Sequence, residues 1–370
     1  MTAQASGRNR TEEFTIVAGQ DQNRTPIFSV LVKRTFDLGA GGAVSRAAQV
    51  RPLIQVDEYY DDGDPQVNSL RFETDLMPYK AMTDFVVIGK AYAPGGRPVT
   101  GFDVLVEVAT YRKRLRVTGD RCCVYQRSRR PSFTEPKEFA EMELRYELAY
   151  GGTDRVSIPA LPFSYPRNPV GKGLALRNLR KVIDGLALPN IEDPEDLLTP
   201  ERIVIGDPDG WSQQPLPQGL GWFHRAWYPR CSFAGAVPGF VTPETVLKEE
   251  TLGLVPTGQI ALARQFRLPS FDVRFNNGAS PGLALPSLKG GELVRLHYLT
   301  AEGKLEFTLP QDSPRISLNL GLGDKELEVV LQTVCVRVED RQLDLVWRGA
   351  HPYPGVDWLP EMKQMIATID

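Results

Sequence analysis

The sequence predicts a mainly β protein: two antiparallel β-rich domains, sandwich- or barrel-like, with a long irregular middle segment and a few short helices. Apolar or alternating runs bounded by turn residues recur toward both ends of the chain, which is the pattern of strands. The 33 glycines and 30 prolines are dispersed as turn pairs, which indicates many loops. A parallel α/β fold is disfavoured because almost no strand pair is separated by a helix of crossover length.

The first β-rich domain is predicted over residues 11–150, after a polar stretch at residues 1–10 that is expected to be disordered. Its strand-type runs are 14–17, 27–38, 70–76, 85–92 and 102–117, with shorter pieces over 141–150. Each run is closed by turn residues, such as the Pro-Gly-Gly sequence that begins at Pro94.

The run over 102–117 is interpreted as a hairpin that turns near Ala109. One register places Phe102 opposite Val117 on one face and Asp103 opposite Arg116 on the other. Opposite charges that face each other across an antiparallel pair stabilise it, which favours this register. The Ala-Thr pair is a poor two-residue turn, which counts against it.

The middle segment, residues 151–285, differs from both ends of the chain. Proline and glycine interrupt it repeatedly, over 165–173, 188–194 and 217–222. Long ordered loops of this kind are usually functional or form interfaces. Within the segment, residues 242–250 predict a short helix, because Thr242 is a suitable N-cap and Pro243 follows at the first helical position.

The C-terminal β-rich part is predicted over residues 286–370. Its hairpins pair 292–299 with 304–309 and 327–338 with 343–347. A final short helix is predicted over 360–369, after a proline that suits the start of a helix.

The charge balance and the apolar runs limit the class of partner and the compartment. The 43 basic and 46 acidic residues give a net charge of -3, so neither nucleic acid nor an anionic membrane is an expected partner. No run approaches the roughly 18 apolar residues of a membrane span, and residues 1–10 lack the apolar core of a signal peptide. Four cysteines in a chain of this length form no disulfide-scaffold pattern, so a cytoplasmic protein is predicted.

The motifs that carry catalytic or metal chemistry are incomplete. The sequence from Gly278 to Gly282 matches Gly-x-Ser-x-Gly, but Pro281 has no backbone N–H to serve as the oxyanion donor. The three histidines, His224, His297 and His351, lie in unrelated segments, so no zinc spacing is present. We therefore predict no catalytic residue, no cofactor and no metal.

An enzyme remains the alternative class, for example a carbohydrate-active hydrolase with carboxylates in a β-sheet cleft. The candidate carboxylates are Asp120, Glu143 and Glu147. Two carboxyl groups about 5 to 10 Å apart in an open groove would favour it. Pairing of these acids with Arg121 or Arg145 would count against it.

Nine segments of the chain together resemble one protein family. They are residues 86–96, 115–121, 142–152, 167–173, 188–192, 217–222, 227–235, 271–279 and 333–349. Their order and spacing are similar to those of the domain-of-unknown-function family 2169, which is found with bacterial type VI secretion clusters. The resemblance runs from about residue 27 to residue 354. It weakens after Gly235, where the usual Thr-Tyr-Asp and Trp are missing, so residues 236–270 are a candidate segment for cargo specificity.

The resemblance implies a non-enzymatic adaptor or chaperone. Members of this family are thought to bind a toxic effector and to help load it onto the VgrG spike. The expected partners are therefore an effector and a VgrG or PAAR-type spike protein, in the cytoplasm. A structural component of the secretion machine is a second alternative.

Aromatic and arginine side chains of the middle segment are the candidate interface residues, because Trp, Tyr and Arg most often anchor interfaces. They are Tyr165, Arg167, Trp211, Trp222, Phe223, Trp227 and Tyr228. The alternative for each of them is a place in the core.

Overall fold

The computed structural model describes residues 12–62, 64, 67–126, 130–234, 272–319, 323–353 and 366–369. In this part of the chain the fold is mainly β with few and short helices, as the sequence predicts. The α-helices α1 (Arg180–Ile183) and α2 (Arg230–Phe233) are each about one turn long. The 3₁₀ turns are Ala40–Gly42, Tyr60–Asp62, Pro94–Gly96, Tyr146–Leu148, Pro208–Gln213 and Val273–Asn276. None of the helices described has the length and apolar character that a membrane span needs.

The strands fall into three groups along the chain. The first group is β1 (Glu12–Gln20), β2 (Pro26–Leu38), β3 (Val44–Arg46), β4 (Glu58–Tyr59), β5 (Leu70–Phe72), β6 (Thr83–Ile88), β7 (Lys90–Tyr92), β8 (Gly101–Val108), β9 (Tyr111–Thr118), β10 (Cys123–Tyr125), β11 (Pro131–Phe133) and β12 (Glu141–Glu143). The middle group is β13 (Tyr150–Gly151), β14 (Thr153–Asp154), β15 (Phe163–Ser164), β16 (Lys172–Gly173) and β17 (Ile191–Glu192). The last group is β18 (Ala284–Leu285), β19 (Leu293–His297), β20 (Lys304–Thr308), β21 (Ile316–Asn319), β22 (Asp324–Glu326), β23 (Val329–Arg337), β24 (Gln342–Pro352) and β25 (Ile366–Ile369).

Two large sheets combine strands from distant parts of the chain. A seven-stranded sheet has the order β1-β2-β24-β23-β6-β18, with β3 also paired to β2, and only the β23–β6 pair is parallel. A five-stranded sheet has the order β17-β9-β8-β19-β20. Strands of the predicted segments 11–150 and 286–370 are therefore neighbours in both sheets.

The predicted hairpin over 102–117 is confirmed by β8 and β9. Phe102 lies opposite Val117 and Asp103 opposite Arg116, in the register that the charge pairs favour. Ala109 takes a φ of 52° to make the turn, a conformation that costs energy for a residue with a Cβ. The cross-strand pairs and the burial of one face therefore outweigh the poor turn sequence.

The two large sheets pack on one apolar core, as in a sandwich. Phe36 and Val334 of the seven-stranded sheet belong to the same buried cluster as Val104, Leu115 and Val294 of the five-stranded sheet. Within the described residues neither sheet closes into a barrel. A second cluster lies under the middle segment and includes Tyr165, Leu176, Ile183 and Trp211.

The prediction of a helix over 360–369 is wrong for residues 366–369. Residues Ile366–Ile369 form β25, which pairs antiparallel with β21, and Ala367 packs into a third apolar cluster with Ile316 and Leu318. Two isoleucines and a threonine in four residues favour a strand once an edge is present to pair with. Residues 360–365, the predicted helix at 242–250 and the divergent segment 236–270 lie outside the described residues.

Candidate protein-interaction site

The seven candidate interface side chains are all buried. Tyr165, Arg167, Trp211, Trp222, Phe223, Trp227 and Tyr228 are each at most 4% exposed. Direct contact with a partner needs accessible surface, and in this conformation these side chains offer almost none. Their observed role is packing, which is the alternative that the sequence left open for each of them.

Four of these residues form the interior of the middle segment. The Trp211 ring lies edge-on to Tyr228, with centroids 5.2 Å apart, and the Arg167 guanidinium lies 4.7 Å from the Trp211 centroid. Arg167 Nη1 donates to the Tyr165 hydroxyl at 2.9 Å and to the Ser212 carbonyl at 3.1 Å. A guanidinium that is buried by stacking and hydrogen bonding fixes the loop that carries Trp211.

The other three candidates join the core between the two large sheets. Trp227 lies edge-on to Phe223, with ring centroids 5.4 Å apart, and to Tyr146 at 5.3 Å. The Lys80 ammonium lies 5.0 Å from the Trp222 ring. Such edge-on aromatic pairs stabilise the contact between loop and sheet by more than the hydrophobic effect of their buried area alone.

A buried charge network ties the turn at residues 222–230 to the first part of the chain. Arg230 Nη2 lies 2.7 Å from Glu73 Oε1, and Arg225 Nη2 lies 3.1 Å from the same oxygen and 2.8 Å from Asp57 Oδ1. Burial raises the pKa of the Glu73 carboxyl, and the Arg230 guanidinium opposes that shift by favouring the charged form. A Cβ on Gly278 would lie 1.9 Å from Glu73 Oε2, so only glycine leaves room for the carboxylate there.

His224 borders this network and is held in one tautomer. The Ala226 backbone N–H donates to His224 Nδ1 at 3.0 Å, so in the neutral ring the proton is on Nε2, which donates to the Tyr59 hydroxyl at 3.0 Å. Desolvation lowers the pKa of His224 to about 4, with the Arg230 and Arg225 charges acting in the same direction and Asp57 opposing them. The ring therefore stays neutral in the fold at pH values where a free histidine is protonated.

We expect His224 to weaken the fold as the pH falls from about 6.5 toward 4. In that window the unfolded chain binds a proton that the folded chain does not, so the free energy of unfolding falls by up to about 1.4 kcal/mol per pH unit. Urea unfolding of His224→Asn, in which the amide oxygen can still accept from Ala226, should lose this part of the pH slope. An unchanged slope in the variant would contradict the assignment.

Exposed large apolar side chains are concentrated in and beside the middle segment. Six of the nine within the described residues lie between positions 124 and 216: Val124, Val156, Leu161, Leu179, Leu197 and Leu216. We call residues 155–162 the apolar loop. It exposes Val156 at 41% and Leu161 at 71%, and Pro159, Ala160 and Pro162 are exposed with them.

The apolar loop is held at its base by Asp154. Asp154 Oδ1 accepts from the backbone N–H groups of Val156 (2.9 Å) and Ser157 (2.8 Å), and Oδ2 accepts from Leu176 N–H at 2.9 Å. Burial raises the pKa of Asp154, but the hydrogen bonds that Ser157, Leu176 and Val156 donate outweigh it, so the pKa lies below its usual value. A clamped loop loses little conformational entropy on binding, which suits it to recognition.

Sequence reasoning missed the apolar loop because it looked for aromatic and arginine anchors. The sequence does carry a signal for this loop. Residues 158–163 are all apolar, although the residues of loops are usually polar. Exposed apolar residues that are grouped together, unlike single ones, mark a candidate interaction site. The seven aromatic and arginine candidates are buried in the core, whereas the apolar loop is exposed.

The candidate catalytic groups all have structural partners. Ser280 is fully buried, and its hydroxyl bonds the Tyr146 hydroxyl at 2.7 Å and donates to the Gly221 carbonyl at 2.8 Å. Glu143 lies 3.3 Å from Arg145, and Glu147 accepts from the Ser69 N–H at 2.7 Å.

Asp120 and His297 also have partners. Asp120 accepts from Asn190 Nδ2 at 3.2 Å, and His297 lies 3.3 Å from Glu107 on β8. No group of three His, Cys, Asp or Glu side chains is placed to hold a metal ion in the part of the chain that the structure describes.

Comparison with known proteins identifies a family. No curated protein and no solved structure is significantly similar to the chain. A family model, described as an uncharacterized protein conserved in bacteria (DUF2169), matches residues 23–348. That range covers most of the chain and contains the five-stranded sheet, the buried charge network and the apolar loop, and it contains the seven-stranded sheet except for β1 and the end of β24. The chain therefore belongs to the DUF2169 family of uncharacterized conserved bacterial proteins.

Proposed function

We propose that the protein is a non-enzymatic adaptor of type VI secretion. It binds an effector in the cytoplasm and helps to load that effector onto a VgrG or PAAR-type spike protein. The motif resemblance set out above supports this proposal, because relatives are thought to act in this way. A net charge of -3 supports a protein partner over nucleic acid.

The observation that carries the proposal is the apolar loop on a clamped base. Leu161 is 71% exposed, in a loop whose base is held by the hydrogen bonds of Asp154. A leucine buried by a partner contributes about 1.5 to 3 kcal/mol through the hydrophobic effect. Exposed apolar groups on a rigid base are typical of protein-binding surfaces.

The experiment uses the tagged full chain in its native bacterium, with and without the neighbouring effector genes. We expect the effector and a spike protein to co-purify, and effector secretion to fail when this gene is deleted. Normal secretion without the gene, together with no recovery of effector or spike protein, would refute the proposal. Co-purification with the sheath that does not depend on any effector would instead indicate a structural component of the machine.

We expect Leu161→Asp to reduce effector recovery at least about tenfold, because a charge at this position opposes burial of the loop by the partner. Since Leu161 is exposed in the free protein, the free energy of unfolding should change by less than about 0.5 kcal/mol. The matched control is Leu216→Asp, at a leucine that is 48% exposed outside the apolar loop. Equal losses in both variants would show that the loop is not the docking surface.

A further inference from the structure

The apolar loop adjoins a second exposed segment, residues 177–184 at α1. The Ser157 hydroxyl accepts from the Arg177 backbone N–H at 3.2 Å, and Asp154 Oδ2 accepts from Leu176 N–H at 2.9 Å. Leu179, which is 37% exposed, follows two residues after Arg177. The two segments are therefore joined by hydrogen bonds at their bases, and each carries exposed apolar side chains.

The charged side chains of this surface are mostly cations. Its exposed charged residues are Arg155, Arg177, Arg180, Lys181 and Asp184. The one carboxylate within the two segments, Asp184, lies 3.4 Å from Arg180, and exposed Asp207 follows Gly206, whose N–H donates to the Leu176 carbonyl. Within the part of the chain that the structure describes, no ion pair is recorded for Arg155, Arg177 or Lys181, and Asp154 is buried under the loop. A protein with a net charge of -3 thus carries a local excess of positive charge around its exposed apolar loop.

We propose that this surface binds a polypeptide segment whose apolar side chains are flanked by carboxylates; the inference rests on the proposed adaptor function and names the chemistry of its partner. Val156, Leu161 and Leu179 provide the apolar centre. Arg155, Arg177 and Lys181 form the charged rim, which orients an acidic partner and rejects a basic one. Single-stranded nucleic acid is disfavoured, because Val156, Leu161 and Leu179 are aliphatic, whereas proteins that bind single strands stack the bases on aromatic rings.

The test measures fluorescence anisotropy of short labelled peptides with the purified full chain. The peptides share one set of leucine and phenylalanine positions and differ only in flanking residues, which are glutamate, glutamine or lysine. We expect the glutamate peptide to bind at least about tenfold more tightly than the lysine peptide. The difference should shrink as the ionic strength rises, because exposed charges are screened.

Variants of the chain separate the apolar and the charged contributions. Leu161→Asp should weaken the glutamate peptide at least about tenfold, and Leu216→Asp should leave it unchanged. Combined Arg177→Glu and Lys181→Glu should reverse the preference toward the lysine peptide. Equal binding of the glutamate and glutamine peptides would overturn the inference. Binding to phosphatidylglycerol vesicles with no peptide discrimination would overturn it too, and would assign the surface to a membrane.

The two proposals fail in different ways. If the effector co-purifies with the wild-type chain but the peptides are not discriminated by charge, the partner chemistry is wrong and the adaptor function stands. If the peptides are discriminated but no effector or spike protein is recovered and secretion is normal, the adaptor function is wrong.

Discussion

Glu73→Ala is expected to lower the free energy of unfolding by about 3–5 kcal/mol, because it leaves a buried guanidinium without its counter-charge. The Arg230 side chain is 4% exposed, and its Nη2 lies 2.7 Å from the Glu73 carboxylate. Arg225 loses the same partner but keeps Asp57. Chemical denaturation at neutral pH measures the change as a shift of the midpoint.

The matched control for Glu73 is Glu306→Ala on β20. Glu306 is 42% exposed and lies 2.8 Å from Arg295 and 2.7 Å from Lys304, so it too has two cationic partners. Because solvent screens exposed pairs, its loss should shift the denaturation midpoint much less than the loss of Glu73 does. Similar losses at both positions would show that burial does not set the strength of the Glu73 network.

Trp211→Ala is expected to cost about 3–5 kcal/mol, the range for deletion of a buried aromatic side chain. Trp211 is 1% exposed and packs against Tyr165, Tyr228 and the Arg167 guanidinium. Effector binding, expressed per folded molecule, should stay at the wild-type level, since the indole does not reach the surface. Chemical denaturation and the pull-down on the same preparation measure the two quantities.

The control for Trp211 is Leu161→Ala, which removes an exposed side chain and should leave the free energy of unfolding within about 0.5 kcal/mol of wild type. The two variants therefore separate core from surface: one changes stability, the other changes partner recovery. If Trp211→Ala left stability intact and abolished effector binding, Trp211 would be an interface residue, as the sequence first suggested.

Carboxylates that the enzyme alternative would use for catalysis form ion pairs and hydrogen bonds within the fold. Glu143 is paired with Arg145, and Glu147 holds the Ser69 N–H and hydroxyl. Such engaged carboxylates are typical of structural networks. The Ser280 hydroxyl, enclosed by Tyr146 and Gly221, has the same character. These contacts assign structural roles to Glu143, Glu147 and Ser280.

The sequence alone was sufficient to predict the hairpins whose strands are apolar or alternate between apolar and polar residues. The β8–β9 hairpin was predictable in full register, because apolar alternation and opposite charges at Asp103 and Arg116 agree on one pairing. The pairs β19–β20 and β23–β24 were predictable because each consists of two apolar strands that are joined by a short turn. The final strand β25 was not, because its pairing edge on β21 is about fifty residues away in sequence.

The tertiary structure alone decided which of these side chains are exposed and which fill the core. Trp211 and Leu161 are both apolar residues of loops, and no local pattern distinguishes them. Trp211 is buried because Tyr165, Tyr228 and Arg167 converge on it from other turns, whereas Leu161 is 71% exposed in the apolar loop. The sequence thus determined a mainly β frame and its family. Burial depends on contacts between distant segments, so only the folded chain could place the candidate interaction surface.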